Sequence, residues 1–259
     1  MLILGIDTTT KTASTAVMRF DYENFEKPTV LSDLQSDGKI SHSEMLMPMI
    51  DSVLKSAGIC LNDIDLFAVA HGPGSFTGIR IGIATVKGLA FGTANSCIGI
   101  SSLYALAYNF YAYEKEKAKN NLLILPVIDA RRKQVYNAVF HHFDNFGNVK
   151  YIKNDRIITV GELEAELNSE FSGGKIIFTG DGADMCYNEI KFAGEKIQVP
   201  DVLKIPSAAS LCRAAYDEYK NKKRSAINPR ILAPSYLIKT QAERELNERS
   251  SFCERTNKT

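Results

Sequence analysis

Short unbroken apolar runs alternate with longer stretches of helical period along this chain. Runs bounded by turn residues read as buried strands. They are "LILGID" (2–7), "ASTAVMRF" (13–20), "TVLSDL" (29–34), "DLFAVAHG" (65–72) and "SCIGIS" (96–101). The helical period is clearest in "SHSEMLMPMIDSVLKSAG" (41–58), where Leu46, Met49, Ile50, Val53, Leu54 and Ala57 share one face. Ser41 and Glu44 have capping-box spacing, Gly58 is a natural stop, and Pro48 should kink the helix. A further helix is expected over 101–117. Residues 21–39 are polar and acidic and read as a hairpin or surface insertion.

The pattern then restarts. "LILGIDTTTKTASTAV" (2–17) and "ILPVIDARRKQVYNAV" (124–139) align at a constant offset. Asp7 matches Asp129, Lys11 matches Lys133, and Ala16–Val17 matches Ala138–Val139. Each copy is strand, Asp, tight turn, strand. The second half continues with a strand at 149–158, a helix at 160–168, "KIIFTGDGA" (175–183), and helices at 183–192 and 206–220. This order predicts an α/β fold of two similar actin-like (RNase H-like) lobes, each a mixed sheet flanked by helices. The expected division is 1–103, 104–240 and a polar tail at 241–259.

Between the strand at 65–72 and its following helix lies "HGPGSFTGIRIGIATVKGLAFG" (71–92). A P-loop needs a Lys and a hydroxyl after its last glycine, but Ile79 and Arg80 follow Gly78. A dinucleotide fingerprint needs a third glycine where Thr77 stands. Gly74, Gly78 and Gly82 are spaced four apart and share a helix face. Three uses fit that stripe: close packing onto the sheet, an anion site at the helix N-terminus, or a seam for a partner.

Composition narrows the chemistry. The chain has 259 residues, 45% apolar and 24% charged, with a net charge of +1. That balance gives no electrostatic footprint for nucleic acid, so any RNA contact is expected to depend on a partner. Five scattered cysteines without a CxxC pair imply a reducing, cytoplasmic setting and neither disulfide frame nor zinc site. "MLILGIDTTT" reads as a strand, not a leader peptide, and no apolar stretch is long enough for a membrane. His42 starts a helix, His71 precedes the glycine stretch, and His141 and His142 alternate across a strand, so no pair suits one metal ion. Ser75 lacks a nucleophile elbow.

"ILGIDTTTKTASTAV", "HSEMLMPMIDSVL", the glycine stretch, "VIDARRKQVYNAVF", "TGDGA" and "APSYL" occur in this order. Together they resemble the TsaB family, dimerization subunits of the bacterial tRNA threonylcarbamoyladenosine machinery. The resemblance covers residues 1–240 apart from the insertion. It implies a non-catalytic subunit that pairs with a TsaD-type catalytic subunit. That complex modifies the adenosine beside the anticodon in tRNAs reading codons that begin with adenine. It also implies a TsaE-type ATPase partner, a homodimer in isolation, tRNA contact only through the complex, and no membrane. The TsaD paralogue carries a paired-histidine metal site where this chain has Ser102 and Leu106, which cannot replace imidazoles.

The partner interface implied by the resemblance is Met45, Met49, Gly74, Gly78, Gly82 and Thr85. Asp7, Thr8, Asp129, Arg131, Gly180 and Asp181 form the candidate vestigial nucleotide or anion site. Thr8 and Ala130 stand where actin-like ATPases place glycines. Arg131 and Arg132 are suited either to an anion or to filling the cleft. "GDGA" is either an adenosine-binding turn or a plain turn with Asp181 capping the next helix. The expectation is no catalytic residue, no metal and no tightly bound cofactor, with ATP or ADP and magnesium only in the complex. The rival reading is a metallopeptidase-like or kinase-like enzyme of the same superfold.

Overall fold

The computed structural model describes residues 1–21, 28–111, 122–141, 149–221 and 225–237. The expected tail at 241–259, His142, and residues 22–27 of the insertion lie outside the described residues. The first sheet contains β1 (Leu2–Asp7), β2 (Ser14–Arg19), β3 (Thr29–Gln35), β4 (Leu66–Gly72) and β5 (Ser96–Ser101). Its helices are α1 (His42–Ala57), α2 (Phe76–Thr93) and α3 (Ser102–Ala107). The second sheet contains β6 (Leu122–Asp129), β7 (Gln134–His141), β8 (Lys150–Thr159), β9 (Lys175–Thr179) and β10 (Glu195–Ile197). With it come α4 (Val160–Glu170), α5 (Ala183–Glu189) and α6 (Ala208–Lys220).

The strand orders are β3-β2-β1-β4-β5 and β10-β9-β6-β7-β8. Read from the same edge, each sheet has three antiparallel strands followed by two parallel ones. The two lobes therefore share one topology, as the internal repeat predicts.

A cut at residue 103 falls at the start of α3, a helix that packs on β6 and β7 as well as on β4 and β5. Helix α6, expected with the second lobe, packs on β1 and β2 of the first, so the lobes share these two helices. Three bonds tie α6 and the chain after it to the first lobe. Ala208 N–H donates to Ser14 Oγ at 2.9 Å, Ile227 N–H donates to Cys97 O, and Ser235 N–H donates to His71 O. One apolar core, including Ile3, Ala16, Leu103, Tyr104, Ile124 and Leu211, runs across both lobes. Burial of that shared core, roughly 25 cal/mol per Å² of apolar surface, holds the lobes together.

Local signals fared unevenly. Gly58 takes the left-handed C-cap that ends α1, and the helix runs unbroken through Pro48. Ser41 makes no cap bond; its Oγ meets Ser43 Oγ at 3.1 Å instead. The same Ser/Thr-x-x-Glu spacing does form a capping box at Thr159 and Glu162, which opens α4. The helix expected over 101–117 is α3 plus a 3-10 turn, with 112–121 outside the described residues.

Candidate functional site

Alternation along β1 and β6 decides where the two aspartates point. Ile3 joins the shared core, whereas Leu4 and Ile6 join the cluster under α1 and α2. Odd positions of β1 thus face α6, and Asp7 with them. In β6 the even positions Leu122, Ile124 and Ile128 face the shared core, and Leu123, Leu125 and Val127 face α4 and α5. Asp129 belongs to this outer face. In register terms Asp7 corresponds to Ile128, and Thr8 to Asp129. Asp7 and Asp129 end equivalent strands, but a one-residue slip puts them on opposite faces. The two aspartates matched in the sequence repeat therefore do not occupy equivalent positions in the two sheets.

The first turn is closed. Asp7 is 1% exposed. Its Oδ1 accepts from Thr9 N–H at 2.8 Å and from Thr9 Oγ1 at 2.6 Å, while Oδ2 has no partner among the described residues. Burial raises the Asp7 carboxyl above its ordinary range, against the two Thr9 bonds and the charge of His42. Thr8 Oγ1 donates to Gly78 O at 2.7 Å, Ser75 N–H donates to Thr9 O at 2.7 Å, and His42 Nε2 meets Thr10 O at 2.8 Å. Helices α1 and α2 therefore clamp this turn from two sides.

The glycine stripe is the reason α2 can do so. A Cβ on Gly78 would run into Thr8 O; one on Gly82 would lie 2.5 Å from Thr8 Oγ1, and one on Gly74 2.5 Å from Thr9 O. Gly78 and Gly82 are buried beside Ile79, Ile83, Val86 and Ala90. The expected partner seam is therefore an internal packing surface, because only a face without side chains lets the helix backbone reach the turn. Met49, also expected at the interface, is 2% exposed and lies in the core. Met45 and Thr85 are half-buried. The outward face of α1 and α2 carries Met47, Ala84, Gly88 and Phe91 instead. That placement was partly legible: Gly82 sits on the same face as Ile79, Ile83 and Val86.

The second turn is open. Only Ala130–Lys133 separate β6 from β7, against Thr8–Ala13 in the first hairpin. The shorter connection is made by left-handed backbone at Arg131, Arg132 and Lys133, with φ of 66°, 53° and 57°. Such residues rarely take this conformation. Arg131 N–H donates to Asp129 Oδ1 at 2.7 Å, and all three cations are exposed. Asp181 does not cap α5, whose N-cap is Gly182 without a side-chain bond. Its Oδ1 instead accepts from Asp129 N–H at 2.9 Å and finishes the strand. Gly180, with φ of 101°, and Gly182 bring the loop over Val127 O and Asp129 N. Burial and the neighbouring Asp129 charge raise the Asp181 carboxyl, although one side of it meets solvent. Lys11, from the first turn, opposes that rise, so the two turns lie within electrostatic reach.

A magnesium nucleotide bridging the two turns does not fit these residues. The Asp7 carboxyl is enclosed, and Thr8 and Thr9 fill the place where phosphate would need backbone amides. Asp129, Arg131, Gly180 and Asp181 do come together, but Asp7 and Thr8 belong to the packing between α2 and β1. Among the described residues no His, Cys, Asp or Glu cluster suits a metal ion. The described cysteines are free, and burial raises Cys97 to about 11 and Cys186 and Cys212 to about 12, away from thiolate chemistry. No helix among the described residues is long and apolar enough to cross a membrane.

A family model described as "TsaD: tRNA N6-adenosine threonylcarbamoyltransferase" matches residues 36–246. The tRNA threonylcarbamoyladenosine biosynthesis protein TsaB of Haemophilus influenzae is 30% identical over 209 residues, covering 78% of this chain and 82% of the relative. The protein of the same name from Escherichia coli is 29% identical over 246 residues, covering 95% and 98%. A solved structure titled "YeaZ from Pseudomonas aeruginosa" superposes with a TM-score of 0.70 at 22% identity, over 91% of this chain and 99% of that one. That last likeness speaks for the fold alone.

Proposed function

This chain belongs to the TsaB family of tRNA threonylcarbamoyladenosine biosynthesis proteins, and we propose that it acts there as a non-catalytic subunit pairing with a TsaD-type threonylcarbamoyltransferase. The burial of Asp7, with Thr8 and Thr9 of the same turn held against the α2 glycines, carries this reading. A turn that would hold phosphate in a working enzyme is spent here on fixing a helix. Chemistry then falls to the partner, which would transfer the threonylcarbamoyl group to adenosine beside the anticodon. A TsaE-type ATPase would supply turnover, nucleotide and magnesium would enter with the complex, and tRNA would be held through it. The setting is the cytoplasm.

The docking face is the outer side of α1 and α2. Met47 is 51% exposed there, and Met45 borders it. A Cβ on Gly88 would meet nothing within 4 Å. Methionine surfaces adapt to a partner, and small residues let a second helix approach. In isolation the same face would pair two copies of this chain.

Gly88→Arg tests the reading. The full-length variant should melt within about 2 °C of the parent, since an open surface site costs little. It should lose co-purification with a tagged TsaD-type subunit from the native cell. A folded variant that still co-purifies stoichiometrically would refute the face. Failure of the parent itself to co-purify would refute the pairing.

A further inference from the structure

The α6 side of the first sheet carries a polar pocket of about 180 Å³ that takes no part in the pairing just described. It is lined by Ser14, Asp33, Gln35, Asn109, Ser207 and Ser210, with Val202 and Leu203 as an apolar edge. Its construction follows from strand register. Ser14 pairs with Gln35, and Ala16 with Asp33, so Asp33 and Gln35 stand on the face that α6 covers. Ser207 caps α6 and Ser210 lies one turn on. The second lobe contributes the wall at 202–203.

The groups already committed leave a particular set available. One Gln35 Nε2 hydrogen is spent on Pro206 O, and both Asn109 Nδ2 donors are spent on Leu203 O and Ile205 O. Ser14 Oγ and Ser207 Oγ each accept a backbone N–H and keep their own proton to donate. Ser210 is 4% exposed and lines the pocket, and Asn109 Oδ1 is buried with no hydrogen-bond partner among the described residues. The remaining groups are a carboxylate, the amide oxygens of Gln35 and Asn109, one Gln35 N–H and three hydroxyls. These accept from and donate to hydroxyl groups in several directions.

Charge narrows the ligand further. No Lys, Arg or His lines the pocket, so Asp33 is the charged group in its wall and an anion placed there meets it first. The charge of Asp33 is instead felt by Arg213, one turn beyond Ser210 on α6. At 10–15 Å³ per water-sized group, the volume holds on the order of a dozen non-hydrogen atoms. We propose that this pocket between Asp33 and the N-terminal turn of α6 binds a small neutral polyhydroxy compound of about monosaccharide size. A carboxylate accepts from sugar hydroxyls, as the acidic residue of dinucleotide-binding folds does from ribose. Because both lobes supply walls, an occupant would also brace one lobe against the other.

The test is calorimetric titration of the full-length protein with ribose, glucose and myo-inositol, with ribose 5-phosphate and ethanolamine as charged comparators. At least one neutral polyol should bind saturably, with Kd at or below about 10 mM. Asp33→Asn and Ser210→Ala should each weaken that binding about tenfold, the size of one lost hydrogen bond, with melting unchanged. Absence of saturable heat for all three polyols up to about 100 mM would overturn the proposal. So would binding unaffected by both substitutions, or tighter binding of either charged comparator than of the polyols.

Discussion

The two hairpin turns of this protein start from matching sequence and end in opposite states. At the first, α2 presses its glycine face onto Thr8 and Thr9, and Asp7 is buried on the other face of the strand. At the second, α5 has only seven residues, and the Gly180–Gly182 loop rests on Val127 and Asp129 while Arg131 and Arg132 stay in solvent. The difference teaches that a repeated motif preserves topology more readily than it preserves which side chain faces a site. A single residue of slip between β1 and β6 moves the aspartate from the shared core face to the outer face.

The sharpest way to break the comparison is to add one methyl group beside each turn. Gly78→Ala places a Cβ against the Thr8 carbonyl, and α2 can yield only by moving as a whole. We expect a loss of about 3 kcal/mol, or roughly 6–12 °C in melting temperature. Gly182→Ala places its Cβ 3.3 Å from Val127 O and should cost at most about 1 kcal/mol. Equal losses by thermal denaturation would mean that the first turn is no tighter than the second.

Asp7→Asn sharpens the contrast through pH. Burial raises the folded-state carboxyl above its unfolded value, so the folded protein holds that proton more firmly. Stability linked to Asp7 is fully present below the ordinary carboxylate range and is lost as pH rises through the raised folded value. The neutral amide keeps the shape, and its oxygen can still accept from Thr9. Relative to the parent, Asp7→Asn should therefore gain in melting temperature as pH rises from about 4 to about 8. A difference that is flat across this range would refute the enclosure.

The smallest effect is expected at the open turn. Asp181→Ala removes the acceptor of the Asp129 N–H, which can turn to water. Chemical denaturation should register a loss of about 1 kcal/mol or less. A larger loss would show that Asp181 organises more of the second lobe than this one strand end.

The sequence by itself determined the described strands other than the short β10, most of the helices and the doubled order of elements, because period and turn residues are local properties. It also determined what chemistry to doubt: no glycine after Asp7, no histidine pair, no phosphate-loop lysine. Tertiary structure decided the rest. Gly78 and Gly82 carry the same four-residue spacing as Ala84 and Gly88, and only the packed helix shows that the first pair faces Thr8 and the second faces outward. Ser41 and Thr159 carry the same capping spacing, and only the local backbone and neighbours let the second one close. The sharing of α3 and α6 between lobes joins residues nearly 200 positions apart, such as Ser14 and Ala208. No local pattern records such a pairing, because its stabilisation comes from burying one face against a partner that the chain reaches only after folding.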